Sequence, residues 1–286
     1  MIRYLVTALL AGASLAAPAS ALEPSEAERD QRRAERRAAA AAAAAARMAE
    51  EDQRFFSSAW RIAASSEPLG RRTVSDGDYV LRNRLLPRSL VRLTADAVEP
   101  GSNKVIASAG TQLFGLNSRN AAIWCVVGRR DPGIAMRLLV ADVGNRQVCL
   151  VDRDKDGDLD GHFRVSNQVR GVPNFSGYLP RELEPLAAAA YEALTPEQIE
   201  VDYFVGIRFE GIALMPARPV FSVTFGNERS RERLSDVVRP RAENPVVKIM
   251  DSEFEIVARN GEALEIEVRR PIPPQPFQVI RTIAYR

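Results

Sequence analysis

Histidine is nearly missing from this chain. His162 is its single imidazole, and Cys125 and Cys149 are its only thiols. Zinc fingers, iron–sulfur clusters and three-ligand catalytic zinc sites need more nitrogen and sulfur ligands than that set provides. A Ser-His-Asp hydrolase or a cysteine enzyme would have to use His162 as its base. That residue sits in an aspartate-rich loop, where the expectation is an exposed side chain. The sequence also lacks a Gly-x-Ser-x-Gly elbow, a Walker-type loop and a Gly-x-Gly-x-x-Gly turn. An excess of charge of either sign is missing too: 39 Lys+Arg stand against 37 Asp+Glu, so no basic balance advertises nucleic acid. Beyond the N-terminus no apolar run approaches the ~20 residues of a spanning helix. What remains is ordinary globular composition over 286 residues, with 46% apolar and 27% charged side chains. That is enough for two domains or one large β domain.

The N-terminus carries an address. Arg3 supplies a positive start, Leu5 to Ala17 is apolar, and Ala19-Ser20-Ala21 forms a small-x-small cleavage site. The expectation is a signal peptide over residues 1–21, a mature chain starting near Leu22, and a secreted, periplasmic location. In such a compartment the even cysteine pair, each member in a strand-like run, is expected to form a Cys125–Cys149 disulfide. Closing that loop stabilises the fold by roughly 3.5 kcal/mol on the chain-entropy account. Two buried reduced thiols are the alternative.

Residues 22–60 read as a charged, Ala-rich helical spacer. Glu26 to Arg54 carries seven acidic and seven arginine side chains around the nine alanines Ala38 to Ala46. Ser25 and Glu28 match a capping box, and Glu28–Arg32 and Asp30–Arg33 are spaced for helical pairing. No apolar stripe appears before Phe55, Phe56 and Trp60, so a solvated rod of about 45 Å is expected, at ~1.5 Å per residue. A segment of low helicity is the other reading.

From Thr73 onward the pattern turns to β. Alternation is clear over Val201–Phe209, Leu264–Val268 and Phe277–Tyr285, and Asn260-Gly261 between two such runs signals a hairpin. Further strands are expected at 78–84, 89–95, 104–109, 111–116, 121–128, 136–141, 146–151, 162–166, 219–225 and 246–250. One helix is expected at 180–195, between Pro180 and Pro196, with Leu183, Leu186, Ala187, Ala190 and Leu194 as its apolar face. The fold class is therefore mainly β: an antiparallel sandwich or barrel over 73–286 with one packed helix. Two subdomains, 73–178 and 196–286, would be joined by that helix. Pro271, Pro273, Pro274 and Pro276 mark an edge or crossover. Trp60 and Trp124 are read as core rather than as a sugar-stacking platform.

One stretch carries chemistry in its spacing. Asp152, Asp154 and Asp156 alternate, Gly157 follows, and Asp158, Leu159 and Asp160 come next. Over residues 152–163 this resembles the calcium loop of EF-hand and dockerin modules. Asp152, Asp154 and Asp156 match its first, third and fifth positions, and Gly157 matches the glycine of the sharp turn. The resemblance implies Ca²⁺ held by Asp152, Asp154, Asp156, Asp158 (through its main-chain carbonyl) and Asp160. It breaks at the last position, where Phe163 stands instead of a bidentate Glu, and the flanks read as strands rather than helices. Affinity should then lie in the ~10⁻⁴–10⁻³ M range of extracellular modules, with a structural role. An acidic solvated hairpin tip is the plain alternative.

Gly226 to Asn244 joins two strands and is rich in arginine. Arg229, Arg231, Arg233, Arg239 and Arg241 make a weak candidate for polyanion contact, and a solvated loop is the alternative. Together these features imply a non-catalytic binding or scaffolding protein of the cell envelope. Its partner would be an envelope protein or a polysaccharide. A carbohydrate-active hydrolase working through an Asp/Glu pair is the other reading.

Overall fold

Period-two burial dominates the computed structural model, which describes residues 26–128, 146–167, 169–214, 217–238, 240 and 245–279. The expected signal peptide, the strand at 136–141, residues 280–285 of the last run, and Arg239 and Arg241 lie outside them. The chain divides into two compact units, Met1–Ala49 and Glu50–Arg286.

Helix α1 spans Glu26–Arg54, and its residues to Ala49 are exposed wherever described, as a segment without an apolar stripe must be. Arg33 and Asp30 pair across 3.9 Å, and Gln31 donates to Glu35 at 3.0 Å. The helix stops at Arg54, short of the expected residue 60. Phe56 and Trp60 belong instead to strands β1 (Phe55–Ser58) and β2 (Trp60–Ile62) and are buried in the core. In the last helical turn Glu50 pairs with Arg181, Asp52 pairs with Arg119, and Arg54 Nε donates to Leu179 O at 2.9 Å.

Antiparallel pairing in Glu50–Arg286 builds a ring. β8 (Gln112–Ser118) pairs with β5 (Leu90–Leu93), and β5 with β13 (Glu184–Leu194). β13 pairs with β11 (Asp158–Ser166), β11 with β10 (Arg146–Asp152), and β10 with β9 (Ala122–Val126). β9 returns to β8 and closes the ladder. The ring's inner residues form one core: Val91, Leu93, Leu113, Leu150, Leu159, Leu186 and Ala189. β6 (Ala97–Val98) and β7 (Val105–Ala107) pair with each other and add Ala97, Ile106 and Ala107 to it. A small barrel filled by its own side chains needs this alternation. β1 extends β8, and β12 (Ser176–Tyr178) extends β1.

Two further sheets carry the rest. One runs β16 (Arg231–Val238), β15 (Ala217–Gly226), β14 (Phe204–Leu214), β4 (Tyr79–Pro87), β2 and β20 (Pro276–Phe277). The other runs β17 (Val246–Ile249), β18 (Ser252–Asn260), β19 (Ala263–Arg270) and β3 (Gly70–Val74). Their inner faces meet where Phe221 lies 5.1 Å from Phe254. Outward residues of the ring (Leu90, Phe114, Cys125, Cys149, Val151, Phe163) join this second core. Trp60 bridges the two parts, 5.4 Å from Phe114 and 5.1 Å from Tyr203, with its Nε1 donating to Pro173 O at 2.8 Å. The hairpin at Asn260-Gly261 forms as expected; Gly261, at φ 65°, is the first of its two central residues. The proline-rich stretch leads to β20 at a sheet edge.

The expected helix at 180–195 is not formed; Glu184–Leu194 is a strand. Leu159 pairs with Ala189 while Gly161 pairs with Pro185, so β13 carries extra residues in a bulge. Leu186 and Ala189 therefore point inward three positions apart, which mimics helical spacing. Pairing on both edges, with β5 and β11, overrides the alanines' helix propensity. Nor do the sheets follow a division at 178/196: β3 and β4 pair with β19 and β14 of the later half.

Cys125 and Cys149 are bonded, and they stand directly opposite each other on β9 and β10. Their separation of 24 residues corresponds to about 3.5 kcal/mol of unfolded-state constraint. Replacing both by alanine is expected to lower stability by about 3 kcal/mol, a fall of roughly 6–12 °C in Tm for a body of this size. Thermal melts under non-reducing conditions check this, and an unchanged midpoint would refute it.

Candidate metal centre

Strand alternation decides where the aspartates go. On β10, Cys149 and Val151 face the outer core, so Leu150 and Asp152 face into the ring. Asp152 ends the strand, fully buried. The chain then turns through Arg153–Gly157, with left-handed backbone at Lys155 (φ 63°) and Gly157 (φ 101°), and re-enters as β11. The glycine carries the more extreme angle without a Cβ clash. Lys155 is steadied by its Nζ, which donates to Arg119 O at 2.9 Å.

Within this turn one carboxylate oxygen from each of Asp152, Asp154 and Asp156 lies within 4.8 Å of the others, a group that could hold a metal ion. The main chain supports the arrangement. Gly157 N donates to Asp152 Oδ2 at 3.2 Å, Asp156 N to Asp154 Oδ1 at 3.3 Å, and Asp158 N to Asp156 Oδ1 at 2.9 Å. Asp158 and Asp160 are not part of the converging group; Asp160 Oδ2 instead accepts from Arg153 N at 2.7 Å. Phe163, at the place of the missing Glu, is core and packs 5.5 Å from Phe56.

Two features lay beyond the reach of the loop's spacing. Tyr191 OH donates to Asp152 Oδ2 at 2.9 Å, from a segment expected to be helical. Burial, reinforced by the bond to Asp152, pushes the Tyr191 hydroxyl up to about 12, so it stays a neutral donor. Trp124 packs 5.4 Å from its ring. The second feature is Asp152 Oδ1, which is buried and has no hydrogen-bond partner. A carboxylate oxygen left dry and unpaired is costly, and a cation in the Asp154–Asp156 cradle would satisfy it. The donor set is all oxygen, which suits a hard divalent ion.

His162 departs from expectation. It is a strand residue opposite Leu150, 4% exposed, with Nε2 3.5 Å from Glu184 Oε2. The β10–β11 register places it on the covered side, which the loop reading missed. Burial lowers its pKa below the ordinary 6.5, although Glu184 opposes the shift. Of the arginines, Arg229 is exposed on the turn between β15 and β16. Arg231 and Arg233 lie on β16 itself, so residues 231–238 of the expected loop are strand. Among the described residues no helix is long and apolar enough to cross a membrane.

Two outcomes follow from these contacts. Tyr191→Phe is expected to cost about 1.5–3 kcal/mol in metal-free buffer, because Asp152 loses a donor; denaturant melts measure it. Because the folded pKa of His162 is depressed, the unfolded chain binds its proton first as pH falls. Stability contributed by the neutral imidazole is complete above pH ~6.5 and declines below it toward the folded pKa. With only one histidine in the chain, His162→Gln should flatten the wild-type slope below pH ~6.5 in EDTA. Equal slopes would refute the assignment. Comparison with protein families, with curated proteins and with solved structures yields no match.

Proposed function

We propose that the turn at 152–158 binds Ca²⁺ as a structural ion in an exported, non-catalytic binding or scaffolding protein of the cell envelope. The observation that carries the ion is Asp152 Oδ1, buried and unpartnered beside two exposed carboxylates. Ca²⁺ accepts six to eight oxygens in loose geometry, so three aspartates, the Asp158 carbonyl and water suffice. Mg²⁺ fits less well because it demands near-ideal octahedral geometry and sheds water reluctantly. The role is structural because the flanks are paired strands, without the helix pair that a sensor opens. Export is supported by the charged-apolar-small pattern of residues 1–21 and by a disulfide, which persists in oxidising compartments.

At 10 mM Ca²⁺, a site of ~10⁻⁴–10⁻³ M affinity should add about 1.4–2.7 kcal/mol, a rise of roughly 3–10 °C in Tm. Asp154→Ala with Asp156→Ala should abolish the rise while the Ca²⁺-free melt stays near wild type. A wild-type melt indifferent to Ca²⁺ would defeat the proposal. Export is checked by N-terminal sequencing of the protein made in its host: a start near Leu22 supports it, and a retained Met1 refutes it.

A further inference from the structure

The outer face of the β16-β15-β14-β4 sheet is organised in cross-strand rows that the cation site does not use. Residues directly opposite one another share a face. One row is Arg84, Phe204, Gly226 and Arg231; the next is Arg82, Gly206, Thr224 and Arg233. Val205, Ile207, Val223 and Phe225 alternate with these and fill the core behind. Phe204 is covered on the outer side by guanidinium groups, Arg82 at 4.3 Å and Arg231 at 5.7 Å from its ring centroid. Between β14 and β16 lies an open groove of about 270 Å³, lined by Arg208, Glu210, Thr224, Arg231, Glu232 and Arg233; Glu232 Oε2 accepts from Arg170 N at 2.5 Å.

The charges on this face are unequally matched. Arg82 and Arg84 share Asp202, at 2.8 and 3.4 Å, and Arg208 has Glu210 at 3.8 Å and Gly77 O at 2.9 Å. Arg231 and Arg233 have no carboxylate within 4.0 Å among the described residues. Thr224, in the row between them and Gly206, is 4% exposed, and its Oγ1 is buried without a hydrogen-bond partner. Glu210 is held by the Ser222 hydroxyl, at 2.5 Å, and keeps an acceptor edge in the groove.

We propose that this groove binds an acidic saccharide, a sugar chain whose rings carry an oxyanion beside free hydroxyls. The guanidinium forks of Arg231 and Arg233 pair with the oxyanion. Thr224 Oγ1 and Glu210 take hydrogen bonds from the hydroxyls. A bare inorganic anion would pair with the arginines but bring no hydroxyls, leaving Glu210 and Thr224 unmatched. The open, sheet-floored trough suits an extended chain more than an enclosed small molecule. The inference stands on this face alone and not on the aspartate turn.

The test uses the full chain in EDTA, which separates it from the cation site, with tetragalacturonate as probe, read by calorimetry. Its fully methyl-esterified form (same hydroxyls, no charge) and inorganic phosphate are the comparison arms. Binding of tetragalacturonate that weakens at least tenfold in the ester, and again in Arg231→Gln with Arg233→Gln, supports the proposal. Salt should weaken it also, and Thr224→Val should cost several-fold in affinity with an unchanged melt. Equal binding of the ester, full binding by the double variant, phosphate binding as tightly as the saccharide, or no binding at millimolar probe each overturns it. If the double variant melts below wild type, Arg233→Lys decides instead: loss of the forked geometry with retained charge should still weaken binding several-fold.

Discussion

Cys125 and Cys149 face each other across adjacent strands, and the register they pin sets which side chains of β10 and β11 enter the ring. Side chains alternate with a period of two, so a one-residue slip would send every inward residue of β10 outward. With Cys149 opposite Cys125, Leu150 meets Trp124 and Asp152 meets Ala122. Asp152 is thereby carried to the inner side of the ring, where it is dry and meets the Tyr191 hydroxyl. The same pairing aligns β11, which turns His162 to the covered side and Phe163 to the outer core. Covalent bond, carboxylate turn and buried imidazole are consequences of one alignment.

The ring and the two sheets share strands' opposite faces instead of a linker. Inward residues of β5, β8 and β10 make the ring's own core, and their outward neighbours help build the other. Trp60, Phe114, Phe175 and Tyr203 form the aromatic seam between them. Such shared burial ties the parts into one cooperative body, since neither core is complete without strands that also serve the other. It also explains why residues 55–62 leave the helix: burying Phe56 against Phe163 and Trp60 in that seam outweighs continuing an exposed helix.

Both proposed sites are places where a polar group has been taken out of water and left unpaired, Asp152 Oδ1 in the turn and Thr224 Oγ1 in the groove. They differ in sign. The turn gathers carboxylates and calls for a hard cation, while the groove gathers guanidiniums and calls for an oxyanion. Their positions on different sheets would let a bound ion stabilise the scaffold without competing for the proposed saccharide groove.

Much of the β character was legible because alternation is local: Val205 to Phe209, the Asn260-Gly261 hairpin and the Leu264–Val268 run need no knowledge of their partners. The aspartate spacing and the cysteine pair were readable for the same reason, since their chemistry is carried by neighbours in the chain. Partner-dependent features were not. Glu184–Leu194 reads as a helix until β5 and β11 claim both its edges, and the bulge that fits it to the ring supplies a false helical period. Arg231 and Arg233 read as loop until β15 pairs with β16. Tyr191 reaches Asp152 from 39 residues away, and no local pattern encodes that contact. Local pattern alone marks which residues prefer pleated, half-buried strands and where carboxylates could converge. Tertiary structure decided which edges meet, because backbone hydrogen bonds and shared burial are settled between distant segments, and that pairing chose the buried member of each site.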